Sequence, residues 1–190
     1  MPTPTKREMI VMIGAKLFRE KGYTATSMRE LAEQVGMEAA SLYNHIDSKE
    51  AILKSICFQV GEAYLSHLAE INASQADFRE KITHFVRLHI EITVQNIAFV
   101  SVANHEWKHL KEPYLSNFLI QRRGYEKHLI RLMEGGIAAK EFKQTNPYVA
   151  VLTILSAVRG LEFWQQHKKN ISSQVLEDDM VNHLLKGITK

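Results

Sequence analysis

The chain has 190 residues, 45% of them hydrophobic, with one cysteine and a formal net charge of +3. That is enough apolar chain for one compact core, or for a small head on a larger body, and it excludes a disordered tail. Cys57 has no intrachain partner, no charged segment followed by an apolar stretch opens the sequence, and no run approaches the ~20 apolar residues of a membrane span, so a cytoplasmic protein is expected.

Apolar residues recur at helical spacing throughout and nowhere alternate as in a half-buried strand, which predicts an all-α protein of about nine helices. Ile10, Ile13, Leu17 and Phe18 give the first helix one apolar stripe, and Lys21-Gly22 ends it with a cation followed by a residue free to take positive φ. Ser27 and Glu30 form a capping box that opens a short second helix with Met28, Leu31, Ala32 and Val35 inward, and Gly36 breaks it. A third helix follows at once, containing Ala39 to His45, with Leu42 and Ile46 as its inward positions. Asp47 and Glu50 repeat the capping pattern and launch a long fourth helix whose expected stripe is Ile52, Ile56, Val60, Ala63, His67 and Ile71. Further helices are expected over 75–99, 102–111, 113–134, 147–167 and 173–187, with Asn146-Pro147 as a start signal and Gly135-Gly136 as a stop. The division expected is a three-helix head over residues 1–50 and a helical body over 51–190.

Two short helices joined by a tight Gly-containing turn, the second small and polar on its outer face, have the geometry that lays a helix into the major groove of DNA. Ala39, Ala40 and Ser41 let the backbone approach base edges, while Ser41, Tyr43, Asn44 and His45 offer hydrogen-bonding groups, Asn44 foremost as a base reader. The backbone donors behind Ser27 and the cation of Lys49 are expected to orient the head on phosphates. Charge contributes no bias: residues 1–50 hold seven Lys and Arg against seven Asp and Glu. Packing alone accounts for Leu31, Ala32, Leu42 and Ile46 but leaves the polar cluster unexplained.

Gly22-Tyr23, Thr26-Ser27-Met28-Arg29-Glu30-Leu31-Ala32, Val35-Gly36-Met37, Ser41-Leu42-Tyr43-Asn44-His45-Ile46 and Lys49-Glu50 together resemble the head of the TetR family of repressors over about residues 6–55. The resemblance implies an N-terminal helix-turn-helix followed by a C-terminal ligand-binding and dimerisation domain. It also implies contacts to double-stranded operator DNA from Ser27, Arg29, Ala39, Ala40, Ser41, Tyr43, Asn44, His45 and Lys49. One departure is Glu38-Ala39-Ala40, where the family often has Lys or Gly two residues before its Ser/Thr-Leu-Tyr.

His105-Glu106-Trp107-Lys108-His109 spells H-E-x-x-H, which on a helix sets two imidazoles on one face for zinc with a Glu as general base. Pro113 follows closely and no downstream histidine completes the extended motif, so no metal and no enzyme are expected, and a surface or pocket-wall segment is the preferred reading. A zinc-dependent hydrolase at His105, Glu106 and His109 is the enzymatic alternative, and a helical scaffold without DNA contacts the other.

In the body, Phe118, Arg122, Tyr125 and Leu129 share one stripe, and an Arg among apolar neighbours suits a pocket for an acidic group or a side chain that reaches solvent. Phe85, His89, Thr93 and Asn96 likewise set polar atoms on an inward stripe. Asn104-His105-Glu106-Trp107, Gln121-Arg122-Arg123-Gly124-Tyr125-Glu126 and Arg159-Gly160-Leu161-Glu162-Phe163-Trp164 resemble the C-terminal domains of TetR-family repressors that control fatty-acid or steroid breakdown. That resemblance implies an acyl-coenzyme A or similar amphipathic effector, with Arg122, Arg123 or Lys127 near phosphates and Phe85, Trp107, Phe118 and Trp164 lining an acyl channel. Val151, Leu155, Val158 and Leu161, then Leu176, Met180, Leu184 and Ile188, are spaced for long apolar faces and are expected to form a homodimer interface of paired helices, with packing inside one subunit as the alternative. An apo dimer on two half-sites, released when an effector in the body shifts the fourth helix, is the expected mechanism.

Overall fold

The computed structural model describes residues 3–164 and 171–189. Its helices are α1 (Lys6–Lys21), α2 (Met28–Val35), α3 (Ala39–Leu42), α4 (Lys49–Ala73), α5 (Phe78–Gln95), α6 (Ile97–His105), a 3-10 turn (Trp107–His109), α7 (Tyr114–Ala138), α8 (Pro147–Arg159), α9 (Leu161–Trp164) and α10 (Ser173–Lys186). Among the described residues, strand-like pairing is confined to an isolated bridge between Phe142 and Thr189. No single described helix is long and apolar enough to cross a membrane. Packing divides the chain into two compact units, Met1–Glu62 with Ala98–Ile120, and Ala63–Ile97 with Gln121–Lys190.

In the first unit, Thr5 caps α1 through a full capping box with Glu8, and Gly22 follows the helix at φ 87°. Ser27 caps α2 by accepting from the Glu30 amide at 3.1 Å, while the Glu30 carboxylate pairs with the Lys21 ammonium instead of closing the box. Gly36, at φ 73°, ends α2 in the left-handed conformation that favours glycine. The third helix is shorter than expected: after Leu42 the chain closes in turns, with the amides of Asn44 and His45 donating to the carbonyls of Ser41 and Leu42. Ser48, not Asp47, caps α4, its hydroxyl accepting from the Ala51 amide at 3.0 Å. Ile10, Phe18, Leu31, Leu42, Ile46, Ile52 and Ile56 are buried. Gly14 lets α1 and α4 approach closely, since a Cβ there would lie 2.7 Å from Ile52 Cγ2.

The core of the second unit is built from α5, α7, α8 and α10 with the last turns of α4. Along α4 the inward stripe passes from Tyr64 to Leu68 and Ile71 rather than through Ala63 and His67, because a spacing of four continues the 3.6-residue repeat from Val60. The expected stop at Gly135-Gly136 does not occur, and α7 runs on to Ala138. Those glycines serve close packing: a Cβ at Gly135 would meet the Phe78 ring at 2.3 Å, and one at Gly136 the Phe142 ring at 2.2 Å. Asn146 caps α8 by accepting from the amides of Tyr148 and Val149, as its Asn-Pro signal implies, but α8 ends at Arg159, eight residues before the expected limit at 167.

At the centre of this unit lies His89, its ring 4.2 Å from that of Tyr64 at 8° and 4.4 Å from that of Phe85. The Tyr125 hydroxyl sits 3.3 Å from both ring nitrogens. Burial lowers the His89 pKa to about 3 and raises that of Tyr64 to about 12, so all these rings are neutral near pH 7. An unfolded histidine binds its proton near pH 6.5 whereas folded His89 resists until about pH 3, so stability from this site falls as pH drops through that window. The slope is about 1.4 kcal/mol per pH unit, or about 2 kcal/mol between pH 7 and 5. His89→Phe should lose less stability than the wild-type chain over that range in urea melts, and equal losses would show that His89 is not the group responsible.

Candidate nucleic-acid interface and effector site

Leu42, fully buried, and Ile46, 3% exposed, pin α3 and the turn after it, and this anchoring decides which neighbours face outward. Ser41, Tyr43, Asn44 and His45 are all exposed, as is Ala40, with Ala39 half-buried. The short polar surface expected for base contact is therefore present, with no bulky side chain at positions 39 to 41 to hold a groove away. Ser27 and Arg29 are exposed two positions apart at the start of α2, although Arg29 already leans on Glu33 at 3.4 Å.

Lys49 does not stand free. Its ammonium donates to the carbonyls of Tyr23 at 2.8 Å, Thr24 at 3.3 Å and Thr26 at 2.7 Å, and lies 4.5 Å from the centre of the Tyr23 ring. Three carbonyls match the three N–H donors of the ammonium, so in this structure Lys49 is turned to the α1–α2 turn. Thr26, which the sequence reading passed over, is buried and donates its hydroxyl to the Gly22 carbonyl at 3.0 Å.

The H-E-x-x-H segment does not lie on one helix, since α6 ends at His105 and His109 closes the 3-10 turn. His109 stacks on Tyr23, with ring centres 5.2 Å apart at 21°, and its Nε2 lies 3.3 Å from the Glu106 carboxylate. Among the described residues no group of three or more His, Cys, Asp or Glu side chains is placed to hold a metal ion.

The expected effector residues divide between the units. Phe85, His89, Thr93 and Tyr125 come together in the second, joined by Tyr64, whose hydroxyl is hydrogen-bonded to Thr93. The expected α4 stripe through Ala63 and His67 left Tyr64 unnamed. Arg122 is half-buried on α7, Arg123 and Lys127 are exposed, and the charges of Arg159 and of buried Glu162 both act on Tyr64. Trp107 and Phe118 belong to the first unit, where Phe118 is buried 6.0 Å from the Phe58 ring. The Trp164 side chain lies outside the described residues.

The expected dimer residues need correction. Val151, Leu155, Val158, Leu161, Leu176 and Ile188 are buried in the core of their own unit, and Met180 and Leu184 pack against it. The six buried side chains are covered within their own subunit, whereas Met180 and Leu184 stay partly exposed. The apolar face left open on the same helices carries Tyr148, Val149 and Leu152 on α8 and Val175 on α10, each about half exposed. Beside Val175, Met180 and Leu184 line a shallow groove of about 330 Å³.

Comparison with known proteins places this geometry in a family. Residues 10–56 match the family model described as "Bacterial regulatory proteins, tetR family", and residues 75–188 match "Tetracyclin repressor-like, C-terminal domain". The repressor KstR2 of Rhodococcus jostii is 32% identical over 105 residues, 55% of this chain and 52% of that one. KstR2 of Mycolicibacterium smegmatis is 21% identical over 98% of this chain and 92% of its own length. Among solved structures, the ketosteroid regulator KstR2 of Mycobacterium tuberculosis superposes with a TM-score of 0.93 at 21% identity, covering 100% of this chain and 97% of that one. AibR in complex with isovaleryl coenzyme A and operator DNA superposes at 0.83 and 22%, covering 94% and 97%. With a helix-turn-helix at one end and a matching C-terminal domain over most of the remainder, the chain belongs to the TetR family of bacterial transcriptional regulators, a family of regulators and not of enzymes.

Proposed function

We propose that this chain is a one-component repressor whose homodimer binds a palindromic operator through α2 and α3 and is released by a small amphipathic acyl thioester, an acyl-coenzyme A. The observation that carries the reading is the exposed run Ser41, Tyr43, Asn44 and His45 held outward by buried Leu42 and Ile46. Two half-sites about 34 Å apart, one turn of DNA, match the reach of a dimer with one such surface per subunit. The aromatic interior of the second unit, with Tyr64, Phe85, His89 and Tyr125, supports an acyl-binding site, and half-buried Arg122 with exposed Arg123 and Lys127 supports an anionic head group. AibR, a structural relative, has been solved with an acyl-coenzyme A and with operator DNA.

Footprinting on DNA flanking the gene tests the core of the reading. Protection of two symmetric half-sites is expected, and its absence at modest ionic strength would overturn it. Asn44→Ala should lose about 1–3 kcal/mol of operator affinity and relax base preference at one position per half-site, as read by competition with single-base operator variants. Titration of an acyl-coenzyme A ester should release the operator while the free acid does so poorly; release by neither would remove the effector assignment. Leu152→Asp, on the open face of α8, should lower the mass in light scattering from dimer to monomer at micromolar concentration, and an unchanged mass would place the dimer surface elsewhere.

A further inference from the structure

We propose that Lys49 is a positioning residue of the DNA-reading head, which together with Tyr23 and His109 fixes the α1–α2 turn and so sets where the start of α2 stands. The inference rests on the DNA-binding reading above but goes beyond it, because it assigns a role inside the head to a lysine turned to the chain's own carbonyls and to a histidine of the unexplained H-E-W-K-H segment.

The turn from Gly22 to Ser27 carries carbonyls that no helix satisfies, and unpaired carbonyls in partly buried sites are costly. Lys49, first residue of α4, gathers those of Tyr23, Thr24 and Thr26 on one ammonium, and the Thr26 hydroxyl takes that of Gly22. With its carbonyls drawn inward, the turn delivers Ser27 to the exposed cap position of α2. The Tyr23 ring adds a second grip: it accepts the Lys49 cation over its face, meets Phe18 edge-on at 5.1 Å and stacks with His109. His109 is held in turn by Glu106, whose Oε1 also comes within 3.9 Å of where a Gly22 side chain would begin. Two residues on, Lys111 reaches Glu50 twice, by its amide to Oε1 at 3.2 Å and by its ammonium to Oε2 at 3.4 Å. The segment from Glu106 to Lys111 thus braces the turn and the first residues of α4 at once.

An ammonium shaped to three converging carbonyls is not replaced by a planar guanidinium, whereas a phosphate accepts arginine at least as well as lysine. Lys49→Arg therefore separates the two roles. In the full-length protein it should weaken operator binding by roughly tenfold at temperatures where circular dichroism shows it folded, with the slope of log affinity against log salt unchanged. His109→Leu, which removes the stack on Tyr23, should shift affinity in the same direction at the same slope. Near wild-type affinity for Lys49→Arg, combined with a slope reduced by about one in Lys49→Met, would overturn the proposal in favour of a phosphate contact. Wild-type affinity in folded Lys49→Met would overturn it as well, by showing a residue that serves stability alone. Amide exchange of Thr24 to Ser27 in the DNA-free protein should quicken in both position-49 variants. That measurement stands even if no operator is found, so failure of the clamp and failure of the DNA-binding reading are distinguishable.

Discussion

Four residues are too few to hold a helix in water by backbone hydrogen bonding, and α3 is four residues long. What keeps Ala39–Leu42 helical is the burial of Leu42 and, past the turn, of Ile46, against a core built from α1, α2 and the start of α4. Burying two such side chains contributes about 3–6 kcal/mol, enough to outweigh the ordering of a short segment. The outward direction of Tyr43 and Asn44 is a consequence, because on so short an element the two anchors leave no rotational freedom. A head in which base-reading groups are aimed by their own neighbours needs no further framework than that core.

The head carries no surplus charge, and three of its seven cations are engaged within it. Lys21 is paired with Glu30, Arg29 leans on Glu33, and Lys49 is enclosed by carbonyls. On the proposed reading the backbone amides at the capped start of α2, with the helix dipole behind them, add to the exposed cations Lys6, Arg7 and Lys16 of α1 as groups turned to solvent. Contacts from backbone amides depend on position to a fraction of an ångström, more so than those of a long flexible lysine. Accuracy in the α1–α2 turn therefore matters more here than in a head that binds by excess charge.

The head was legible in the sequence because its signals are local. Ser27, Gly36 and the spacing of Leu42 to Ile46 act within a few residues of themselves, and each was found where expected. The body was read less well wherever meaning depended on residues far along the chain. Gly135-Gly136 has the form of a helix stop, and only the rings of Phe78 and Phe142 packed onto it show that it serves close approach. On α8, Val151, Leu155 and Val158 form a stripe, and Val149 and Leu152 lie off it; periodicity finds apolar faces but does not say which one the subunit covers itself. Tyr64 went unnoticed because an error of one position on a long helix turns the expected face by about 100°.

His89 shows what an effector would have to do on the proposed reading. Its stack with Tyr64 and its contact with Tyr125 are aromatic interactions of about 0.5–1.5 kcal/mol each beyond simple burial. Each methylene transferred from water contributes about 0.8 kcal/mol, so on the proposed reading burial of about two to four acyl carbons would offset the parting of those rings. Neutral His89 presents no charge that would have to be stripped of solvent when the rings part. Tyr64 sits on α4, and Lys49 is the opening residue of that same continuous helix.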